Sequence, residues 1–156
     1  MPSTRSSSFG ATADPMDIVV GVAQCSDGTF LLVQQFRLPV GQPTLELPAG
    51  HIERDEAPAD AMRRELLEET GHDALQVRQI GEFFTAPHAS DELAHVFACE
   101  TQECIGQVER HLDPDEQDIA AVRLTQQDLT DAINAGRISD AKSIAAWHLY
   151  HALRFT

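Results

Sequence analysis

Apolar and polar positions along this chain read as strands, then a helix, then more strands, then two helices. The β-branched run at residues 17–23 predicts a strand, since such side chains pack well on a pleated surface. Ser26-Asp27-Gly28 is a hairpin turn signal, and residues 29–36 read as the returning strand. Pro39, Gly41 and Pro43 mark a loop, after which Thr44-Leu45-Glu46-Leu47 alternates as a short strand running into Pro48-Ala49-Gly50. Ala59, Met62 and Leu66 recur at three and four residues, the core stripe of a helix over residues 57–70. Pro58 suits its first turn, where no N–H is needed, and Gly71 its C-terminal cap. Residues 75–84 and 93–99 predict strands on either side of a polar loop at 85–92. A further short strand is expected at 105–110, an acidic loop at 112–118 and a strand at 119–124. Thr125 and Asp128 form a capping box for a helix ending near Gly136. A last helix over 139–154 would bury some combination of Ile144, Trp147, Leu149 and Leu153. The order is not a regular βαβ alternation, so the class is α/β with a mixed sheet and helices packed on it.

Composition narrows the function. A chain of 156 residues with 42% apolar residues suits one domain with a real core. Residues 1–16, rich in Ser, Thr, Ala and Pro, read as a disordered lead before a domain over 17–156. No apolar run approaches the roughly 20 residues that cross a bilayer. The formal net charge of −14 argues against nucleic-acid and anionic-membrane partners, which need basic patches. Cys25, Cys99 and Cys104 are an odd number without framework spacing, which suggests reduced thiols in a cytoplasmic protein. Small, buried apolar roles suit them better than a zinc site.

The candidate chemistry lies on the first helix. Glu65, Glu68 and Glu69 are three and four residues apart and share one side of it. Like charges at this spacing cost about a few tenths of a kcal/mol per exposed pair. Arg64, four before Glu68, can pair with and orient that carboxylate, and a hard divalent cation would answer the rest. A solvated acidic face is the alternative for the three glutamates alone. Gly50, Glu56 and Gly71, at fixed spacing from them, favour the metal.

Residues 50–72 resemble the Nudix box, Gly-x5-Glu-x7-Arg-Glu-U-x-Glu-Glu-x-Gly-U, with U aliphatic. Every named residue is present, and His72 replaces the final aliphatic one. The resemblance implies an α/β/α sandwich that hydrolyses a diphosphate linked to another moiety with Mg²⁺ or Mn²⁺. It implies that Glu65 and Glu69 bind metal, with Glu68 and the Ala49 carbonyl as further ligands. Arg64 would orient the glutamates and Glu56 support the loop. Bound metal neutralises the diphosphate and lowers the pKa of a water, from which a carboxylate takes the proton.

The flanks are similar to the ADP-ribose pyrophosphatase branch. Gln34-Gln35-Phe36-Arg37-Leu38-Pro39 precedes Leu45-Glu46-Leu47-Pro48-Ala49-Gly50, and Pro87 stands sixteen residues past Gly71. Ser90-Asp91-Glu92 and the segment from Gly136 to Ser143 also match. Arg37, Glu46 and Pro87 would then lie at the substrate site. A general base would come from the late acidic loop, with Glu116 first, Asp115 in reserve and Glu92 a third candidate. Many relatives have glycine where His88 follows the marker proline, and extra N-terminal strands where this chain has residues 1–16. The implied substrate is ADP-ribose or another nucleoside diphosphate sugar, and a homodimer is one state the resemblance allows. Nucleoside triphosphates, dinucleoside polyphosphates and a non-enzymatic nucleotide-sugar module are the alternatives. His88 and His95 lack zinc-ligand spacing, and Trp147 suits a core better than an adenine stack.

Overall fold

A computed structural model describes residues 16–102 and 119–153. Within them lie β1 (Ile18–Gln24), β2 (Phe30–Arg37), a 3-10 turn (Leu38–Val40), β3 (Gln42–Glu46) and β4 (Ala49–His51). They are followed by α1 (Pro58–Thr70), β5 (Ala74–Phe84), β6 (Leu93–Thr101), β7 (Ala120–Leu124), α2 (Gln126–Asn134) and α3 (Ala141–Ala152). The strands form one mixed sheet in the order β3-β2-β1-β6-β5, with β4 paired to β1 and β7 to β2. Only the β1–β6 pair is parallel among these pairings.

The apolar run of β1 is continuous because both of its faces are covered. Val19 and Ala23 face α1 and pack with Leu31, Met62, Leu66, Phe97 and Cys99. Ile18, Val20 and Val22 face the other way, onto Phe30, Leu32, Val96, Leu129 and Trp147. The result is an α/β/α sandwich, with α1 against one face of the sheet and α2 and α3 against the other. Trp147 is a core residue, edge-on to Phe30 at 4.9 Å, as expected. Of the four apolar residues expected to be buried on the last helix, Trp147 is, whereas Ile144 and Leu153 are exposed.

The helix ends follow the sequence closely. Pro58 opens α1, and Gly71 closes it in the left-handed region, its N–H bonded to the Leu67 carbonyl. Thr125 caps α2 by accepting from the Asp128 N–H. Two elements were not foreseen. The 3-10 turn at Leu38–Val40 falls in the predicted loop, and β4 has only three residues, Ala-Gly-His, with no strand propensity of their own. It forms because Val20, Val19 and Ile18 pair with Ala49, Gly50 and His51. The strand expected at 105–110 lies outside the described residues. One expectation about the cysteines fails: Cys99 is free and buried, but Cys25 carries a disulfide, so the thiols are not all reduced.

Candidate functional site

Pairing to β1 lays β4 beneath the middle of α1. There Glu65 and Glu69 are 5% and 2% exposed, an unusual depth for carboxylates. Glu69 Oε2 accepts from the Ala49 N–H at 3.1 Å. Glu65 presses on Gly50 so closely that a Cβ there would sit 2.0 Å from its carboxyl carbon. Glycine is required at this position by that approach and not by its backbone angles.

Arg64 ties the rest of the helix face together. Its Nε and Nη2 donate to the two Glu56 oxygens at 2.8 and 2.9 Å, and Nη2 also donates to the His51 carbonyl. Nη1 donates to Glu65 at 2.7 Å and to Glu68 at 3.1 Å. The bond to Glu56 raises the Arg64 pKa above its ordinary value, and the same bond holds Glu56 below the usual carboxylate range. Glu56 also accepts from the Glu53 N–H at 2.9 Å, so it fastens the loop ahead of α1.

A second charge cluster faces the first. Glu46, on edge strand β3, is 2% exposed. Arg37 donates to it from Nε at 2.8 Å and Nη2 at 2.7 Å, in fork geometry, and Lys142 Nζ adds a third bond at 2.7 Å. Burial would raise the Glu46 pKa, but the bonds from Arg37, Lys142 and Thr44 outweigh it and hold the group at about 2. Lys142 sits two residues past the N-cap Asp140, whose Oδ2 accepts from the Ser143 N–H. The Ser143 hydroxyl accepts from the Leu47 N–H at 2.8 Å, which docks α3 on the chain between β3 and β4.

The two clusters line one cleft of about 540 Å³. Its walls include Arg37, Ala49, Gly50, Arg64, Glu65, Glu69, Glu92 and Lys142. Of the residues singled out in the sequence, Arg37, Ala49, Arg64, Glu65, Glu69 and Glu92 meet there. Glu46 does not line the cleft but lies buried behind Arg37 and Lys142. Glu68 is turned to Arg64, and Pro87 sits exposed in the turn closed by the Ala89 and Ser90 amides on the Ala86 carbonyl. Glu116 and Asp115 lie outside the described residues. Lys142 was given no role by sequence reasoning. Its signal was position, since a cation in the first turn opposes the helix dipole and needs an anion nearby.

Oxygen donors from Glu65, Glu69 and Ala49 at one wall suit a hard divalent cation, and the Gly50 cradle leaves the Glu65 carboxylate the room it occupies. Among the described residues no three His, Cys, Asp or Glu side chains are gathered tightly enough to enclose an ion by themselves. A complete shell would therefore draw on backbone oxygen, water or substrate, as is usual for magnesium.

The model of the NUDIX domain family matches residues 15–147. ADP-ribose pyrophosphatase of Bacillus subtilis (strain 168) is 32% identical over 94% of this chain and 77% of its own length. GDP-mannose pyrophosphatase of Yersinia enterocolitica is 34% identical over 76% of this chain and 64% of its own. In fold, the crystal structure of an ADP compounds hydrolase superposes with a TM-score of 0.71, at 20% identity, over 88% of this chain and 71% of that one. No described helix is long and apolar enough to cross a membrane.

Proposed function

The chain belongs to the Nudix family, and from that premise we propose that it hydrolyses the diphosphate of a nucleoside diphosphate sugar. ADP-ribose is the first candidate, and the products are a nucleoside monophosphate and a sugar phosphate. The observation that carries this reading is the meeting of two cations, Arg37 and Lys142, with two buried carboxylates, Glu65 and Glu69, in one cleft. The cations suit phosphate oxygens, and the cleft volume suits a small nucleotide. Relatives with pyrophosphatase activity on ADP-ribose and GDP-mannose support the substrate class.

Glu65, Glu69 and the Ala49 carbonyl would hold Mg²⁺ or Mn²⁺, with Glu68 available if Arg64 releases it. Bound there, the metal would supply charge neutralisation at the diphosphate and an acidified water. The chain's own part is positional. Arg64 fixes Glu65 through Nη1 while Glu56 fixes Arg64, so the carboxylate is aimed before substrate arrives. Arg37 and Lys142, spaced by Glu46, orient the phosphates. Proton removal falls to Glu116, with Asp115 or Glu92 as the other candidates; Glu92 already lines the cleft. The cytoplasmic location rests on the cysteine count, and the Cys25 disulfide takes that support away; a homodimer is one state the family resemblance allows, and light scattering measures it.

Turnover of ADP-ribose with Mg²⁺ tests the reading, with a loss of about 10³-fold in kcat expected for Glu69→Gln. Wild-type rates in that variant would remove Glu69 from the metal site. Preference for a nucleoside triphosphate by kcat/KM would overturn the substrate class while leaving the hydrolytic centre.

A further inference from the structure

Asp17 lies just before β1, at the point where that strand begins to pair with β4 on one side and β6 on the other. It is 1% exposed. Its backbone carbonyl accepts from the Ile52 N–H at 3.0 Å, next to the last residue of β4. Its Oδ1 accepts from the Leu93 N–H at 3.2 Å, at the first residue of β6. Its Oδ2 faces His95 Nε2 at 3.5 Å. On the far side of the ring, Gln79 Nε2 stands 3.2 Å from His95 Nδ1 and Glu82 Oε2 stands 4.0 Å from it. The approach of Nε2 to Asp17 is a close contact of two buried groups without hydrogen-bond geometry.

Both segments that Asp17 holds belong to the cleft. Ala49, Gly50 and His51 precede Ile52, and Glu92 precedes Leu93. Glu92 is held in turn by Thr85, whose hydroxyl donates to it at 2.6 Å and whose N–H bonds its carbonyl. A buried carboxylate facing a buried imidazole is a poor device for stability, because apolar residues of similar volume commonly do as well. Its use here fits a need for register between two walls.

We propose that Asp17 is a positioning residue for the hydrolytic centre. It clamps the Ala49–Gly50–His51 metal loop, through its backbone carbonyl, and the Glu92 wall, through its carboxylate, to one another, and His95 packs against that carboxylate at 3.5 Å. The proposal rests on the function proposed above, since it assigns the clamped segments to metal and substrate.

Two substitutions separate the clamp from simple packing. Asp17→Leu removes the side-chain acceptor, whereas Asp17→Asn keeps an oxygen for the Leu93 N–H. Mn²⁺ binding without substrate, followed by electron paramagnetic resonance, should weaken about tenfold in the leucine variant. Its kcat should fall by about the same factor with KM within about twofold, and the asparagine variant should recover most of both. Hydrogen exchange, which needs neither metal nor turnover, should show the Ile52 and Leu93 amides both accelerated in the leucine variant. A folded leucine variant with wild-type Mn²⁺ binding and kcat overturns the proposal. So does an asparagine variant as impaired as the leucine one, or acceleration confined to Leu93. Should the wild-type protein bind Mn²⁺ but hydrolyse no diphosphate, the function fails while the Mn²⁺ and exchange measurements still judge the clamp.

Discussion

A carboxylate bonded to two cations at once sets their spacing as well as their charge. Glu46 holds Arg37 and Lys142 in this way, with its pKa at about 2 against 4.5 for an ordinary glutamate. The folded value is the lower one, so this stabilisation is complete above pH 4.5 and is lost as pH falls toward 2. Urea midpoints of the wild-type protein and Glu46→Gln should therefore differ at pH 7 and converge across that range. At neutral pH the difference should be at most about 3 kcal/mol, and a constant gap at every pH would place the effect elsewhere. Gly50 answers a different constraint. Gly50→Ala would drive a methyl group into the Glu65 carboxylate, and kcat/KM should drop about 100-fold with Tm lowered far less than a core cavity would lower it. The carboxylates of α1 were legible in sequence because helix periodicity alone places Glu65 and Glu69 together. The crowding at Gly50 was not, since it depends on β4 lying under α1. Nor was the shielding of Glu46, which sequence reasoning put at the substrate and the fold puts behind two cations.

The elements divide by what they hold. α2 and α3 are both capped by a short polar side chain, but only α3 brings a residue to the cleft. Thr125→Ala should cost about 1 kcal/mol of stability and leave kinetics unchanged. Asp140→Ala should cost a similar amount and, by removing the 2.9 Å bond to Lys142, raise KM several-fold as well. Equal kinetics in the two variants would mean that Lys142 is held by Glu46 alone. Strands and helices with strong local patterns were readable to within a few residues, from β1 to α3. β4 was not, because three residues of weak propensity become a strand only through the edge that β1 offers them.

At the scale of the molecule one sheet separates two cores, and each carries its own reporter. Trp147, the single tryptophan, reads the α3 face, and Cys99 reads the α1 face, where burial pushes its thiol pKa up to about 12. Neither face has a sheet of its own, so both should be lost together. Tryptophan fluorescence and mass-spectrometric labelling of Cys99 should give coincident urea midpoints, and separated midpoints would mean that one helical layer leaves first. The bond between Leu47 and Ser143 spans 96 residues, and it brings the last described helix to the wall that β3 and β4 begin. Synthesis runs from the other end. The glutamates of α1 leave the ribosome long before Lys142 does, so a growing chain carries the acidic half of the cleft without its full basic half. Competence then waits until α3 has been made, and a chain that stops ahead of α3 should show no turnover of ADP-ribose instead of a reduced rate, since it lacks Lys142 and the Ser143 hydroxyl that receives the Leu47 N–H.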